Sequence, residues 1–258
     1  MWIVDARTPI GGPRNQGFQE EQTHAVVHRY GDVAQVMSPY QKHFWDDGQI
    51  LGRGINAFQL VRQPSGAWKI VSIVWDEEVG AGPIPARYGG TGEDAPADDP
   101  AVVSTRFGTP EAVVDAAYAI IQRAPGDRFD WDLLRSLFLP QGLMIPNVEQ
   151  TVGAFTVLTP AGFAAWIDRH TPYGTAQDRG LAKEEVHRVV EQYGDIAQVM
   201  STYQKRFYDS DQILGRGINS FQLVRHDGRW WIVGIVWDEE YDSPNHGGGP
   251  IPDRYLGD

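Results

Sequence analysis

The sequence predicts an α+β fold in which one antiparallel meander is written twice and helices precede the second copy. Two observations carry this. The first is a repeat: Tyr30 to Arg62 (YGDVAQVMSPYQKHFWDDGQILGRGINAFQLVR) returns as Tyr193 to Arg225 (YGDIAQVMSTYQKRFYDSDQILGRGINSFQLVR). The match continues from Ile70–Glu78 to Ile232–Glu240 and from Gly82–Tyr88 to Gly249–Tyr255. The second is a change of apolar period, helical before residue 182 and two after it. Thr8-Pro9 matches Thr171-Pro172, so residues 109–169 have no counterpart before the first copy. The first copy is expected to lack its front half.

Each element has a local reason. Residues 21–78 read as a three-strand meander, with Asp46-Asp47-Gly48 as a turn. Residues 80–108, rich in Gly, Pro, Ala and Asp, read as an extended linker. In residues 109–126, Thr109 is a good N-cap, Pro110 suits the first helical position and Glu111 opposes the positive helix end. Val113, Ala116, Ala117, Ile120 and Ile121 form its apolar stripe, and Pro125-Gly126 stops it. A short helix over Asp130–Phe138 and a strand over Leu143–Val148, entered through Pro140-Gln-Gly, come next. Thr159-Pro160 then repeats the helix-start signal for residues 160–169. From 182 to 241 the meander returns, with strands near 212–225 and 230–240 and turns at Asp209-Ser210-Asp211 and His226-Asp227-Gly228. In both copies Gly-Pro-Ile-Pro before Arg-Tyr predicts a rigid tail that docks on its own sheet.

Composition narrows the function. The net charge of −12 argues against nucleic acid, which needs a basic patch. With 41% hydrophobic residues the chain can bury a core. The absence of cysteine excludes disulfides, thiolate metal sites and a cysteine nucleophile. Residues 1–20 lack an apolar leader region and no stretch is long and apolar enough to span a membrane, so a cytoplasmic protein is expected.

The element order (helix, helix, strand, helix, long meander) resembles the NTF2-like superfamily. Phrases such as TPEAVVDAAYAIIQRAPGDRFDWDLLRSLF and GRWWIVGIVWDEE add to the resemblance. That superfamily holds nuclear transport factor 2, ketosteroid isomerase, SnoaL-type cyclases and limonene epoxide hydrolase. The resemblance covers residues 100–258 fully and residues 1–88 as sheet alone. It implies a curved antiparallel sheet forming a cone, with helices on its concave face and a pocket inside. It also implies a division into a partial repeat (1–88), a linker (89–108) and a complete domain (109–258). Members commonly dimerise sheet to sheet, so either an intramolecular pseudo-dimer of the two repeats or a homo-oligomer is expected.

The same resemblance frames the chemistry. Isomerase-type members use an Asp at the end of the first strand, whereas this strand ends in MIPNVE, with Pro146 and Asn147 where the base should stand and Glu149 two positions on. Tyr118 lies about one residue from the expected tyrosine. Epoxide-hydrolase chemistry needs an Asp–Arg–Asp set, for which Asp195, Arg216 and Asp238 have the residue types, although a sheet-edge ion pair for Arg216 and a solvated strand end for Asp238 are the favoured explanations. GRGIN (Gly215–Asn219) leads into a strand and is no phosphate loop. His170, after the third helix, is the histidine placed for acid–base work. His24 and His187 match between copies, and no histidine–carboxylate set has metal-ligand spacing, so neither metal nor cofactor is expected. Trp68, Trp75, Trp166, Trp230, Trp231 and Trp237 either fill the core or wall a cavity.

Three readings stay open. The leading one is a protein that binds a small apolar molecule in residues 109–241, touching Tyr118, Asn147, Trp166, His170, Arg216 and Trp237. The second is an isomerase, cyclase or epoxide hydrolase on a small apolar substrate with His170 or Asp238 as catalytic proton carrier. The third is an interaction module assembling through its sheets.

Overall fold

A computed structural model describes residues 18–44, 48–63, 65–94, 106–146, 156–240 and 248–257. The fold is α+β: two sheets and few helices. The first sheet holds β1 (Phe18–Gln22), β2 (Val26–Tyr30), β3 (Val33–Phe44), β4 (Ile50–Arg62) and β5 (Trp68–Glu77), all antiparallel, in the order β1-β3-β4-β5 with β2 also paired to β3. The second holds β6 (Phe138–Pro146), β7 (Ala182–Tyr193), β8 (Ile196–Arg206), β9 (Ile213–His226) and β10 (Arg229–Glu239) in the order β6-β10-β9-β8-β7. Within it β6 runs parallel to β10 and the rest is antiparallel.

The repeat extends to the irregularities of the ladder. Register shifts fall at Lys42/His43 and at Lys205/Arg206, which are matching positions. They fall again at Gln59/Leu60 and between Ile232 and Gly234, where the partners are Leu223 and Gln222. β7 shifts between Glu185 and His187, and the corresponding strand of the first sheet breaks between β1 and β2. Bulges bend and twist a strand, so both sheets are bent at the same places.

Three helices follow the predicted starts. Helix α1 (Pro110–Ile121) is capped by Thr109, whose hydroxyl accepts from the Ala112 amide, and α3 (Pro160–His170) by Thr159 in the same way. Asp130 caps α2 (Trp131–Leu137). Helix α1 stops before Pro125-Gly126 because Arg123 leaves it to bridge Leu181, with backbone bonds of 2.8 and 2.9 Å. The buried Arg123 guanidinium pairs with Asp178 at 2.5 Å and holds that carboxyl well below its ordinary range. Strand β6 starts earlier than Leu143: Phe138 faces Ile232 and Leu143 faces Gly234, so the Pro140–Gly142 turn is an excursion within the strand.

The helices cover one face of the second sheet. Val113, Ala117, Leu134, Leu137 and Phe163 from the helices pack with Ala197, Val199, Phe221, Leu223, Trp230, Ile232 and Ile235. The opposite face meets the first sheet. Four buried glutamines join them, and their bonds are reciprocal: Gln35 donates to the Phe221 carbonyl (2.8 Å) and Gln198 to Phe58 (2.8 Å). Gln59 donates to Ser220 (2.8 Å) and Gln222 to Ala57 (2.7 Å). Each pair of donors and each pair of acceptors occupies matching positions of the two copies, as a twofold relation requires.

The Asp-Glu-Glu at each meander end is not a solvated strand end. Asp238 is fully buried and accepts the Asp32 amide at 3.0 Å; Asp76 accepts the Asp195 amide at 2.8 Å. The turn glycines beside these amides, Gly31 and Gly194, have φ of +54° and +52°, and a Cβ on either would lie 2.2 Å from the aspartate oxygen. Glu77 and Glu239 accept from Tyr40 and Tyr203, and from Lys42 and Lys205. Glu78 and Glu240 accept the amides of Ile84 and Ile251 and so pin the tails. Each tail lies on its own sheet and also reaches the other. Tyr88 donates to Glu191 at 2.7 Å, and the Tyr255 hydroxyl accepts the Arg29 amide at 3.1 Å. The start of the predicted linker is therefore a docked segment in which Ile84 and Tyr88 are buried.

Candidate functional site

Between the helices and the second sheet lies a half-open cavity of about 60 Å³. Ala117, Tyr118 and Ile121 of α1, Leu134 of α2 and Phe163 of α3 form its roof. Met144, Phe221, Ile235 and Trp237 form its apolar floor, and Lys183 and Asn219 are its polar groups together with Tyr118. By the space one water needs, this volume holds about four waters or a molecule of a few heavy atoms.

The polar groups form one directed chain. Asn219 Nδ2 donates to the Tyr118 hydroxyl at 2.7 Å. Ser201 donates to Glu185 Oε1 at 2.5 Å, so the 2.6 Å bond between Tyr118 and Ser201 takes the tyrosine hydrogen. Arg188 grips Glu185 at the far end and also reaches Asp115. At the near end Asn219 turns its Oδ1 toward Lys183 Nζ, 3.4 Å away. Burial pushes the Tyr118 hydroxyl well above its ordinary range, so it stays neutral. Its hydrogen is already committed to Ser201, and a ligand carbonyl could take it only by breaking the chain.

Lys183 sits at the start of β7, half-buried, with Nζ 3.5 Å from the centre of the Tyr203 ring. Burial, reinforced by the nearby Lys205 charge and opposed by Glu239, pushes its amine down to about 7. No carboxylate among the described residues pairs with it; Glu239 is occupied by Lys205 and Tyr203.

The structure distributes the sequence candidates. Tyr118 and Trp237 line the cavity. Trp166 is 38% exposed and lies beside His170, whose Nδ1 meets the Trp166 carbonyl at 2.7 Å on the exposed face of α3. Neither lines the cavity. Arg216 pairs with Glu240 at 3.6 Å, and Asp195 with Arg225 at 2.6 Å. Together with Asp238 at the junction of the sheets, the Asp–Arg–Asp set is thus divided among separate partners. Asn147 and Glu149 lie outside the described residues. Among the described residues no cluster of His, Cys, Asp and Glu is able to hold a metal ion, and no helix is long and apolar enough to cross a membrane.

Sequence reasoning missed Lys183, Ser201 and Glu185. A signal for two of them was present: the first copy has Glu20 and Gln22 where the second has Lys183 and Glu185. A charge reversal inside a near-identical repeat marks a position whose surroundings differ.

No protein-family model matches the chain, and no curated protein matches it. Solved structures similar to about half of it include a cystatin-like-fold protein of unknown function from Nostoc punctiforme (13% identity, 52% of this chain and 90% of that one, TM-score 0.40). An NTF2-like protein of unknown function from Pseudomonas putida is similar at 12% identity over 55% of this chain and 91% of that one, TM-score 0.41. Another, from Silicibacter pomeroyi, is similar at 19% identity over 50% and 91%, TM-score 0.33.

Proposed function

We propose that residues 109–258 form a domain that binds a small, mainly apolar molecule in this cavity, with one polar group of the ligand set against Lys183 and Asn219. The supporting observation is the convergence of Lys183, Asn219 and Tyr118 on an apolar, half-open space. A pure interaction module needs no such space, and a core packed solid under the helices would have favoured that reading. Residues 1–88 are proposed as a partial repeat, joined through 89–108, that pairs with the second sheet as an internal dimer; the reciprocal glutamine bonds support this.

Methyl NMR of the full chain titrated with 1-butanol tests the binding reading. Saturable shifts at Ile235 and Met144 are expected, and Ala117→Phe, which fills the cavity from α1, should abolish them while the remaining spectrum is kept. Shifts that persist in Ala117→Phe, or no shifts in the unaltered chain, would refute the binding reading. A second reading, an enzyme, draws on Lys183 specifically, since an uncharged amine near neutral pH is a reactive group.

A further inference from the structure

We propose that Lys183 is a nucleophile that forms a reversible imine with a small aldehyde or ketone held in the cavity. The proposal deepens the small-molecule reading above and rests on it. Three geometric facts carry it. The Lys183 side chain lines the cavity, so a bound carbonyl carbon comes within its reach. Asn219 Oδ1, at 3.4 Å, accepts one N–H hydrogen and the Tyr203 ring centre lies 3.5 Å from Nζ, so two fixed groups hold the amine beside the cavity. The carboxylate that could neutralise it, Glu239, is taken by Lys205 and Tyr203. In the first copy the matching residue is Glu20, an exposed carboxylate bonded to Asn56 at 2.9 Å. The amine thus stands in the copy whose face is roofed. A desolvated lysine beside a second cation is a recognised way to make a reactive amine, and the downward shift of Lys183 agrees with it.

The step balances without a cofactor. The Nζ lone pair attacks the carbonyl carbon and the C=O π pair moves to oxygen, which takes a proton while nitrogen loses one. The resulting hydroxyl takes a second proton and leaves as water as the C=N bond forms and nitrogen loses its remaining hydrogen. One amine and one carbonyl become one imine and one water, with no change of oxidation state. Protons exchange with solvent at the open mouth. The charged and titratable groups at the amine are Tyr203 and Lys205 from β8 and Glu239 from β10, with the neutral Asn219 from β9; Tyr118 from α1 lines the same cavity, and Glu185 and Arg188 from β7 join through Ser201 and Tyr118.

The test uses the full chain with limiting butanal and sodium cyanoborohydride, which reduces an imine to a stable N-butyl lysine. The chain has four lysines (Lys42, Lys69, Lys183 and Lys205), so peptide mapping assigns each product. Near neutral pH, Lys183 should gain its butyl group roughly ten-fold or more faster than the exposed Lys69. Its rate should rise between about pH 6 and about pH 8 as the amine loses its proton. Lys183→Arg should lose the fast product and keep the slow ones. If Lys183 reacts no faster than Lys69 while 1-butanol still shifts Ile235 and Met144, the imine is refuted and the pocket stands. If neither compound binds, both fall. The map of the unaltered chain decides the matter even if the variant does not fold.

Discussion

Ile232 and Ile70 hold the same place in the same phrase, yet Ile232 is fully buried and Ile70 is 55% exposed. The contrast repeats at Ile235 (5%) and Ile73 (41%). It repeats again at Trp237, a cavity wall, and Trp75, 53% exposed. The two sheets share strands, bulges and turns, so local sequence does not cause the difference. Helices α1 to α3 lie on one sheet, and no helix of that kind lies on the other among the described residues. On the faces that meet, by contrast, the copies agree: Gln35, Gln59, Gln198 and Gln222 are all buried. One face of each sheet therefore does a shared task and the other does not. The chemistry has diverged on the second kind of face, where Lys183 replaces Glu20.

The largest test of this contrast is a pair of truncations. Ile232→Ala should cost about 2–5 kcal/mol in urea unfolding, because it opens a hole under the helices. Ile70→Ala should stay within about 0.5 kcal/mol. Equal losses would break the comparison. Next come the glutamines. Gln35→Ala and Gln198→Ala should each cost about 1–3 kcal/mol by leaving buried acceptors unpaired. A loss at one and not the other would mean the junction is not shared evenly.

Protonation gives two smaller effects, both of which raise stability with pH but in different windows. The folded Lys183 amine lies at about 7 and the unfolded one at 10.5, so the unfolded chain binds more protons between these values. Stability should therefore rise with pH across that window, by at most about 1 kcal/mol per pH unit, and Lys183→Met should remove the slope. Glu191 acts in the same direction at lower pH. Burial acts to raise its carboxyl, but hydrogen bonds from His28 and Tyr88, with the charges of His28 and Arg87, outweigh burial and hold it below 4.5. Its contribution is present above that value and is lost as pH falls through the folded one; Glu191→Gln should flatten the acid limb of the unfolding curve. Smallest of all, Glu20→Lys, at an exposed position of the first sheet among the described residues, should change stability by less than about 0.5 kcal/mol and create no fast-reacting amine. Rapid alkylation at that position would show that the roof is not what activates Lys183.

Much of the architecture was legible. Thr109-Pro110 and Thr159-Pro160 mark real helix starts because a cap is a local hydrogen bond. Asp227-Gly228 marks a real hairpin turn, with φ of +51° and +72°. The early end of α1 was not legible, since Arg123 leaves the helix for partners at Asp178 and Leu181, more than fifty positions away. Asp238 misled for the same reason: its partner is the Asp32 amide, in the other copy. His170 and Trp166 lie on a helix that does reach the cavity, but it reaches with Phe163, and helix rotation is set by packing.

By itself the sequence determined the repeated meander, the helix starts, the turns and the lack of thiol chemistry, because these depend on bonds between near neighbours and on residue type. Tertiary structure decided which face of each sheet is covered, which aspartates are buried and which amine loses its water. Those outcomes depend on what lies opposite a residue in space: Lys183 reads as an ordinary charged strand residue until α1 and Lys205 are brought against it.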